Sequence, residues 1–347
     1  MNTIRYAVVG LRHGREHVRI IPKDEKRTVS ALCDRDADVL ERAAGESAAQ
    51  PKTFTSFDQL LDWGKFDAVV LATPPHVHAE LAAKAIRAGK HVFIEKPLTN
   101  TLDEARTLIK AAHDAKTVIQ VGYCVRSSQL VRRTMELIRS DRIGRVVFMW
   151  WHMFLVYDYG HEGWRQERKY GGGKLIDCLC HYMDILGLFA GAPFHRVTAY
   201  GTEPGKIGPN PDRIAAVATV IFEYENGVKS NVSLSEVTPS PESSLFGLVG
   251  TNGMINGNPW RPEGAGSLDC YLDGGLYREQ IAINGAMASR GHLGFTEQHD
   301  AFERAITEGA PVPCSLDDGY ETQIMMAAVD RSVATGDTIF RKDLLRE

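Results

Sequence analysis

The chain has 347 residues, of which 24% are charged, with 40 lysines and arginines against 44 acidic residues and a net charge of -4. Its basic residues are scattered rather than gathered in stripes, which excludes an obvious nucleic-acid or anionic-membrane surface and favours a small-molecule ligand. The length exceeds one typical core, so two domains are expected, residues 1–122 and 123–347.

The amino terminus MNTIRYAVVG enters a strand with no basic lead, apolar stretch or cleavage site, and the longest apolar runs fall short of a membrane span. Six dispersed cysteines, several inside apolar segments, suit reduced thiols and a cytoplasmic location.

From Ile4 to Val121 short β-branched runs alternate with amphipathic helices, the signature of βαβ units around a parallel sheet. YAVVG, TVSALC, DAVVLA, HVFIE and TVIQVG read as strands. Glu16 to Ile21, Ala37 to Glu46, His76 to Ala88 and Leu102 to Ala115 read as helices. After Gly122 come one helix (Leu130 to Ser140) and long alternating segments, among them VVFMWWHMF, RIAAVATVIFEY, GVKSNVSLSEV and SSLFGLVG. Glu225-Asn226-Gly227 is a hairpin signal, and two helices follow near Thr296 to Glu308 and Asp317 to Ala334. The fold class is thus α/β: an N-terminal Rossmann doubly wound parallel sheet, then an α+β domain with a large, mostly antiparallel open sheet. Tyr157 to Gly173, Glu203 to Asp212 and Asn256 to Ser267 stand out as loops by composition.

The first strand ends at Gly10, where a dinucleotide fold places its phosphate turn, yet the usual G-x-G-x-x-G becomes Gly10-Leu11-Arg12-His13-Gly14, one residue shorter, with Arg12 at the second glycine position. Alone, this is as compatible with a plain strand-to-helix turn. Asp34 ends the second strand, where an acid meets the adenosine ribose and repels a 2′-phosphate; a cap on the next helix is equally natural for Asp34 or Asp36. NAD is therefore the expected cofactor, with NADP kept open by Arg35. In Thr73-Pro74-Pro75 two prolines stiffen the turn after the fourth strand; Thr73, Pro74, His78 and the Glu95-Lys96 pair join the cofactor set.

In Glu95-Lys96-Pro97 the proline fixes the exit of a lysine from the end of a buried strand. GGGKLIDCLCH then opens a helix on which Asp177 and His181, four residues apart, share one face. A base, its carboxylate and a cation are the parts an alcohol dehydrogenation needs; a plain surface pair and a solvated lysine are the bland alternative. Cys178, Cys180 and His181 are scattered around the helix, and no metal is expected. Tyr123, Arg126, Trp164 and Arg165 are candidate substrate contacts or packing at the domain junction.

These pieces resemble the glucose-fructose oxidoreductase, inositol dehydrogenase and MocA family over nearly the whole chain. The resemblance rests on the first strand with Gly10, ATPPHVHAELAAKAIRAGKHVFIEKP, GYCVR, GGGKLIDCLCH and the late DDGYETQIMMAAVDRS. It departs at the glycine turn and at Leu179, a position commonly glycine in the family. The resemblance implies a nicotinamide-dependent enzyme acting on a sugar, cyclitol or related polyol, with Lys96, Asp177 and His181 at the catalytic positions. His181 is the expected general base, Asp177 its orienting partner, and Lys96 the cation at the developing alkoxide. A redox-neutral lyase or glycosidase passing through a transient keto intermediate would use the same residues, and a silent ligand sensor would not need all three. Apolar residues on both alternations of Phe148 to Phe154 and Ala216 to Phe222 suggest a homodimer or homotetramer through the second sheet.

Overall fold

A computed structural model describes residues 3–22, 25–47, 49–156, 174–202, 217–238, 243–260, 265–283 and 294–346. The chain divides into two units, Met1–Tyr123 with Thr296–Tyr320, and Cys124–Phe295 with Glu321–Glu347. A late segment, residues 296–320, groups with the first unit. Packing explains the return: the Phe302 ring meets Tyr6 and Phe93, and Arg27, buried on the second strand, reaches Asp300 at 2.9 Å. Leaving that guanidinium buried and unpaired would cost several kcal/mol, roughly 3–5 for a broken buried pair.

In the first unit the order is β1 (Ile4–Val9), α1 (Leu11–Ile20), β2 (Arg27–Cys33), α2 (Ala37–Gly45), β3 (Lys52–Phe54), α3 (Phe57–Trp63), β4 (Ala68–Leu71), α4 (His78–Arg87), β5 (His91–Glu95), α5 (Leu102–Ala112) and β6 (Ile119–Gly122). The sheet order is β3-β2-β1-β4-β5-β6, and every pairing is parallel. All four residues of β4 are buried, as expected of a central parallel strand with both faces covered. The start of α5 is set by Thr101 and Glu104 in a reciprocal capping box. Sequence reasoning starts the first helix at Glu16, whereas α1 starts at Leu11. Its inner stripe is Leu11, Gly14, His17 and Val18, so a glycine and a histidine interrupt the apolar period that would have marked it.

The second unit contains α6 (Gln129–Arg139), β7 (Val146–Val156), α7 (Lys174–Ala190), β8 (Phe194–Thr202), β9 (Val217–Tyr224), β10 (Lys229–Thr238), β11 (Ser243–Gly250), β12 (Gly253–Trp260), β13 (Ala265–Leu272) and β14 (Tyr277–Ile283). Further on lie α8 (Phe295–Glu308), most of which belongs to the first unit, α9 (Leu316–Thr335), β15 (Ile339–Phe340) and α10 (Arg341–Leu344). Nine strands run in the order β14-β13-β12-β11-β7-β10-β9-β8-β15, antiparallel except for β7 with β10. The stretch Asn256 to Ser267, expected as a loop, holds the end of β12 and the start of β13, with Asn258 opposite Ser267. Pairing across the sheet overrides its Asn, Gly and Pro composition. The other two expected loops, 157–173 and 203–212, fall outside the described residues, save none of their ends.

The strand β7 shows the two faces of this sheet. Met149, Trp151 and Met153 are buried, and Trp151 packs on Tyr182 of α7 at 4.9 Å between ring centroids. The alternate residues Phe148, Trp150, His152 and Phe154 are only partly covered or exposed.

Candidate active site

In the first unit the candidate cofactor site is the carboxyl edge of the parallel sheet, where open α/β folds bind ligands. Gly10 adopts φ +84°, and a Cβ there would lie 2.7 Å from the Ala72 carbonyl oxygen, so no other residue fits without moving the β4 turn. Gly14 lets α1 lie on the sheet, since a Cβ would come within 3.0 Å of Val8 Cγ1. The shortened turn thus keeps a close-approach glycine and a helix-packing glycine. Gly10, at the N-cap of α1, has no side chain to cap the helix itself. That end can receive a pyrophosphate, which the backbone N–H groups and helix dipole favour.

Asp34 serves this turn directly: one carboxylate oxygen accepts the Leu11 N–H at 2.7 Å and the other accepts the Asp36 N–H at 3.0 Å. The helix cap expected of Asp34 or Asp36 falls to Asp36, whose side chain accepts from Asp38 and Val39. Each oxygen of Asp34 keeps a second lone pair, so ribose binding is compatible with the turn contact. Arg12 is exposed and pairs with Asp36 at 3.1 Å, and Arg35 is exposed beside it. Thr73, half-buried, has its hydroxyl shielded with no hydrogen-bond partner among the described residues, and Pro74 precedes the short turn Pro75–Val77. An orphaned hydroxyl beside the glycine turn is the kind of group a bound nucleotide satisfies.

Behind this edge sits a buried polar cluster that sequence reasoning missed apart from His13 and Glu95. Glu95 Oε1 lies 3.0 Å from His17 Nε2 and 3.8 Å from His13 Nε2, and Oε2 accepts the Lys96 N–H at 3.0 Å. His17 Nδ1 meets His299 Nε2 at 2.8 Å, and His299 stacks on Phe93. Burial pushes the Glu95 carboxyl up, but the His17 bond and the positive charges of His13, His17 and Lys96 outweigh it and hold it well below the usual range. His299 is pushed far below the ordinary imidazole value by burial, aided by the charges of His17 and Arg27. Among the described residues, His13, His17 and Glu95 form the one trio close enough to share a cation. Both nitrogens of His17 and both oxygens of Glu95 already have partners, so the trio is complete as a hydrogen-bond network. The signal in the sequence was the i,i+4 pair His13 and His17 on one helix face.

His78, expected to touch the cofactor, is placed otherwise. Its ring is fully buried, with Nε2 2.8 Å from the Thr73 carbonyl oxygen and Nδ1 3.1 and 3.2 Å from those of Pro97 and Leu98. Lys96 is half-buried at the end of β5, and the Lys96-Pro97 peptide is cis.

The other unit carries a separate group of candidate residues. Asp177 and His181 are both on α7, one turn apart; the Asp177 side chain lies outside the described residues, as do Trp164 and Arg165 altogether. His181 is half-buried with its Nδ1 shielded, and its ring lies edge-on to Tyr182 at 6.5 Å. Cys178 is half-buried and Cys180 buried. Arg126, expected as a substrate contact, is committed elsewhere: its guanidinium forks onto Asp184 with two 2.7 Å bonds, at 7% and 0% exposure. Thr322 adds a 2.8 Å bond to the same carboxylate. Asp184 stands three residues beyond His181, so this buried pair anchors the helix that carries His181. Tyr123, the last residue of the first unit, is buried at 2% exposure, which suits packing more than ligand contact.

Comparison with known proteins places these features in a family. Residues 4–123 match the family described as "Oxidoreductase family, NAD-binding Rossmann fold", and residues 131–256 match the GFO/IDH/MocA C-terminal domain. The chain is 26% identical over 310 residues to D-xylose 1-dehydrogenase (NADP(+)) 2 of Haloferax volcanii, covering 88% of this chain and 90% of that one. It is 24% identical over 336 residues to inositol 2-dehydrogenase of Rhizobium meliloti, covering 96% and 97%. Its fold is that of levoglucosan dehydrogenase, solved in complex with NADH and L-sorbose, with a TM-score of 0.86, 22% identity and 98% and 99% coverage. With a glycine-turned NAD-binding Rossmann unit and a nine-stranded second unit that both match, this chain belongs to the Gfo/Idh/MocA family of oxidoreductases.

Proposed function

We propose that this protein is an NAD-dependent dehydrogenase moving a hydride between a secondary alcohol of a sugar, cyclitol or related polyol and nicotinamide. The carrying observation is Lys96 at the carboxyl end of β5, two strands from the Gly10 turn, in a chain that aligns almost end to end with a xylose and an inositol dehydrogenase. When bound, NAD supplies the hydride acceptor. The protein supplies the rest: His181 takes the hydroxyl proton, Asp177 orients the His181 ring or holds a neighbouring hydroxyl, and Lys96 stabilises negative charge on the substrate oxygen. Asp34 favours an unphosphorylated ribose, which supports NAD over NADP. The relatives named above are dehydrogenases, and none supports the redox-neutral lyase alternative.

The exposed face of the second sheet supports a homodimer or homotetramer. Phe148 and Leu245 are 42% exposed and Ile221 51%, and Trp150 lies between them. The outward residues of β10 are polar (Asn231, Ser233), so the apolar surface concentrates on β7 and β11 rather than filling both alternations. A cytoplasmic location is supported by six cysteines, none of them in a disulfide. No helix among the described residues is long and apolar enough to cross a membrane.

The direct test is NADH formation at 340 nm with a panel of aldoses, anhydrosugars and inositols. Stoichiometric NADH and ketone or lactone are expected for at least one compound. Product without net NADH, from cofactor that copurifies, would overturn the dehydrogenase reading.

A further inference from the structure

His78 opens α4 and is wholly buried, yet three backbone carbonyl oxygens face its ring and, among the described residues, no donor does. On one side Nε2 meets Thr73, in the turn that leaves β4. On the other Nδ1 meets Pro97 and Leu98, the two residues after Lys96. The ring therefore bridges two turns at the carboxyl ends of adjacent strands, β4 and β5, which carry the orphaned Thr73 hydroxyl and Lys96.

A neutral imidazole has one N–H and can bond one of these turns. Its other nitrogen would then hold a lone pair against a carbonyl oxygen at 2.8 Å, or against two at 3.1 and 3.2 Å. With both nitrogens protonated every contact becomes a bond from donor to acceptor. Burial is the largest influence and lowers the ring's proton affinity from its ordinary value, against the raising effects of the three carbonyl dipoles and the Glu95 charge. It is the geometry that favours the second proton, with acceptors within 2.8–3.2 Å of both nitrogens. No nitrogen is left to present to a ligand.

We propose that His78 is a positioning residue for Lys96: it donates from both ring nitrogens and thereby clamps the turn that carries the lysine onto the Thr73 turn. This rests on the reading of Lys96 as catalytic. The clamp works by geometry, since a displacement of about 1 Å in a reacting group can lower turnover on the order of a hundredfold.

The test combines variants with a spectroscopic readout on the wild-type protein. Nitrogen-15 histidine NMR at neutral pH should show both His78 ring nitrogens protonated. His78→Asn and His78→Gln, each able to reach one turn, should lower kcat at least tenfold while the KM for substrate changes less than threefold. In the cofactor-saturated enzyme the loss should persist, which separates misplacement of Lys96 from weak NAD binding. Lys96→Ala is the reference: normal turnover in that variant would sink the catalytic reading of Lys96, whereas the ring-nitrogen signals judge the clamp independently. A pyridine-like nitrogen in wild-type His78, or wild-type kcat in His78→Gln beside an impaired Lys96→Ala, would overturn the proposal.

Discussion

His17 Nε2 bonds Glu95 Oε1 at 3.0 Å, and both side chains are shut away from solvent behind the proposed cofactor edge. The carboxylate stays ionised there because imidazole, ammonium and a backbone N–H surround it. His17→Ala should therefore leave a buried charge with a missing partner and destabilise the protein by about 3–5 kcal/mol. Chemical denaturation reads this; the double variant His17→Leu/Glu95→Leu should recover part of the loss.

Stability should also depend on pH through His299. Its folded pKa is depressed, so the folded state keeps the ring neutral, while the unfolded chain takes up a proton near the ordinary value of about 6.5. Stability is then lost as pH falls below that value, at up to about 1.4 kcal/mol per unit for one proton, until the folded pKa is reached. Glu95 acts lower: its contribution is present above its unfolded value and is lost only as pH drops beneath the usual carboxylate range. Melting curves from pH 8 to 5 should show a shallower decline for His299→Asn than for wild type.

Arg126 separates a structural from a ligand role. Because Asp184 is wholly buried, Arg126→Ala should cost about 3–5 kcal/mol and lower Tm sharply. A raised substrate KM at unchanged Tm would instead restore the substrate-contact reading.

If His181 is the general base, His181→Ala should lower kcat by roughly a hundredfold or more with NADH binding retained. Asp177→Asn should slow the same step, and Lys96→Ala should affect both KM and kcat. NADH fluorescence titration and steady-state absorbance distinguish the two effects. Near-wild-type kcat in His181→Ala would remove the histidine from the mechanism.

Asp34 should give at least a tenfold preference in kcat/KM for NAD over NADP, about 1.4 kcal/mol. Since its carboxylate also accepts the Leu11 N–H, Asp34→Ala should both erode the preference and weaken NAD binding. Better turnover with NADP in the wild type would show that Arg12 and Arg35 dominate the ribose end.

Much of the fold was legible because parallel strands buried on both faces have an unmistakable composition. VVL in β4 and VFI in β5 can be little else, and the Gly10 turn follows from where β1 ends. The pairing of Asp177 with His181 on one helix is a matter of spacing alone. What spacing cannot reveal is a contact between residues far apart in the chain. That His299 returns to His17, that Arg27 takes Asp300, and that residues 296–320 thus belong to the first unit depends on which buried polar groups find each other.

The sequence by itself determined the two kinds of sheet, the glycine turn and the identity of the candidate base, carboxylate and lysine, because each is encoded in local composition or in a period of two or four. Tertiary structure decided the duties of the polar residues around them. Arg126 and His78 look like ligand contacts in the sequence, since a charged or titratable side chain beside a strand end is the ordinary mark of a site. In the folded protein the Arg126 guanidinium is taken up by Asp184 and the His78 ring sits against three backbone carbonyls, because a buried donor or acceptor left without a partner costs about 1–3 kcal/mol, and more if charged.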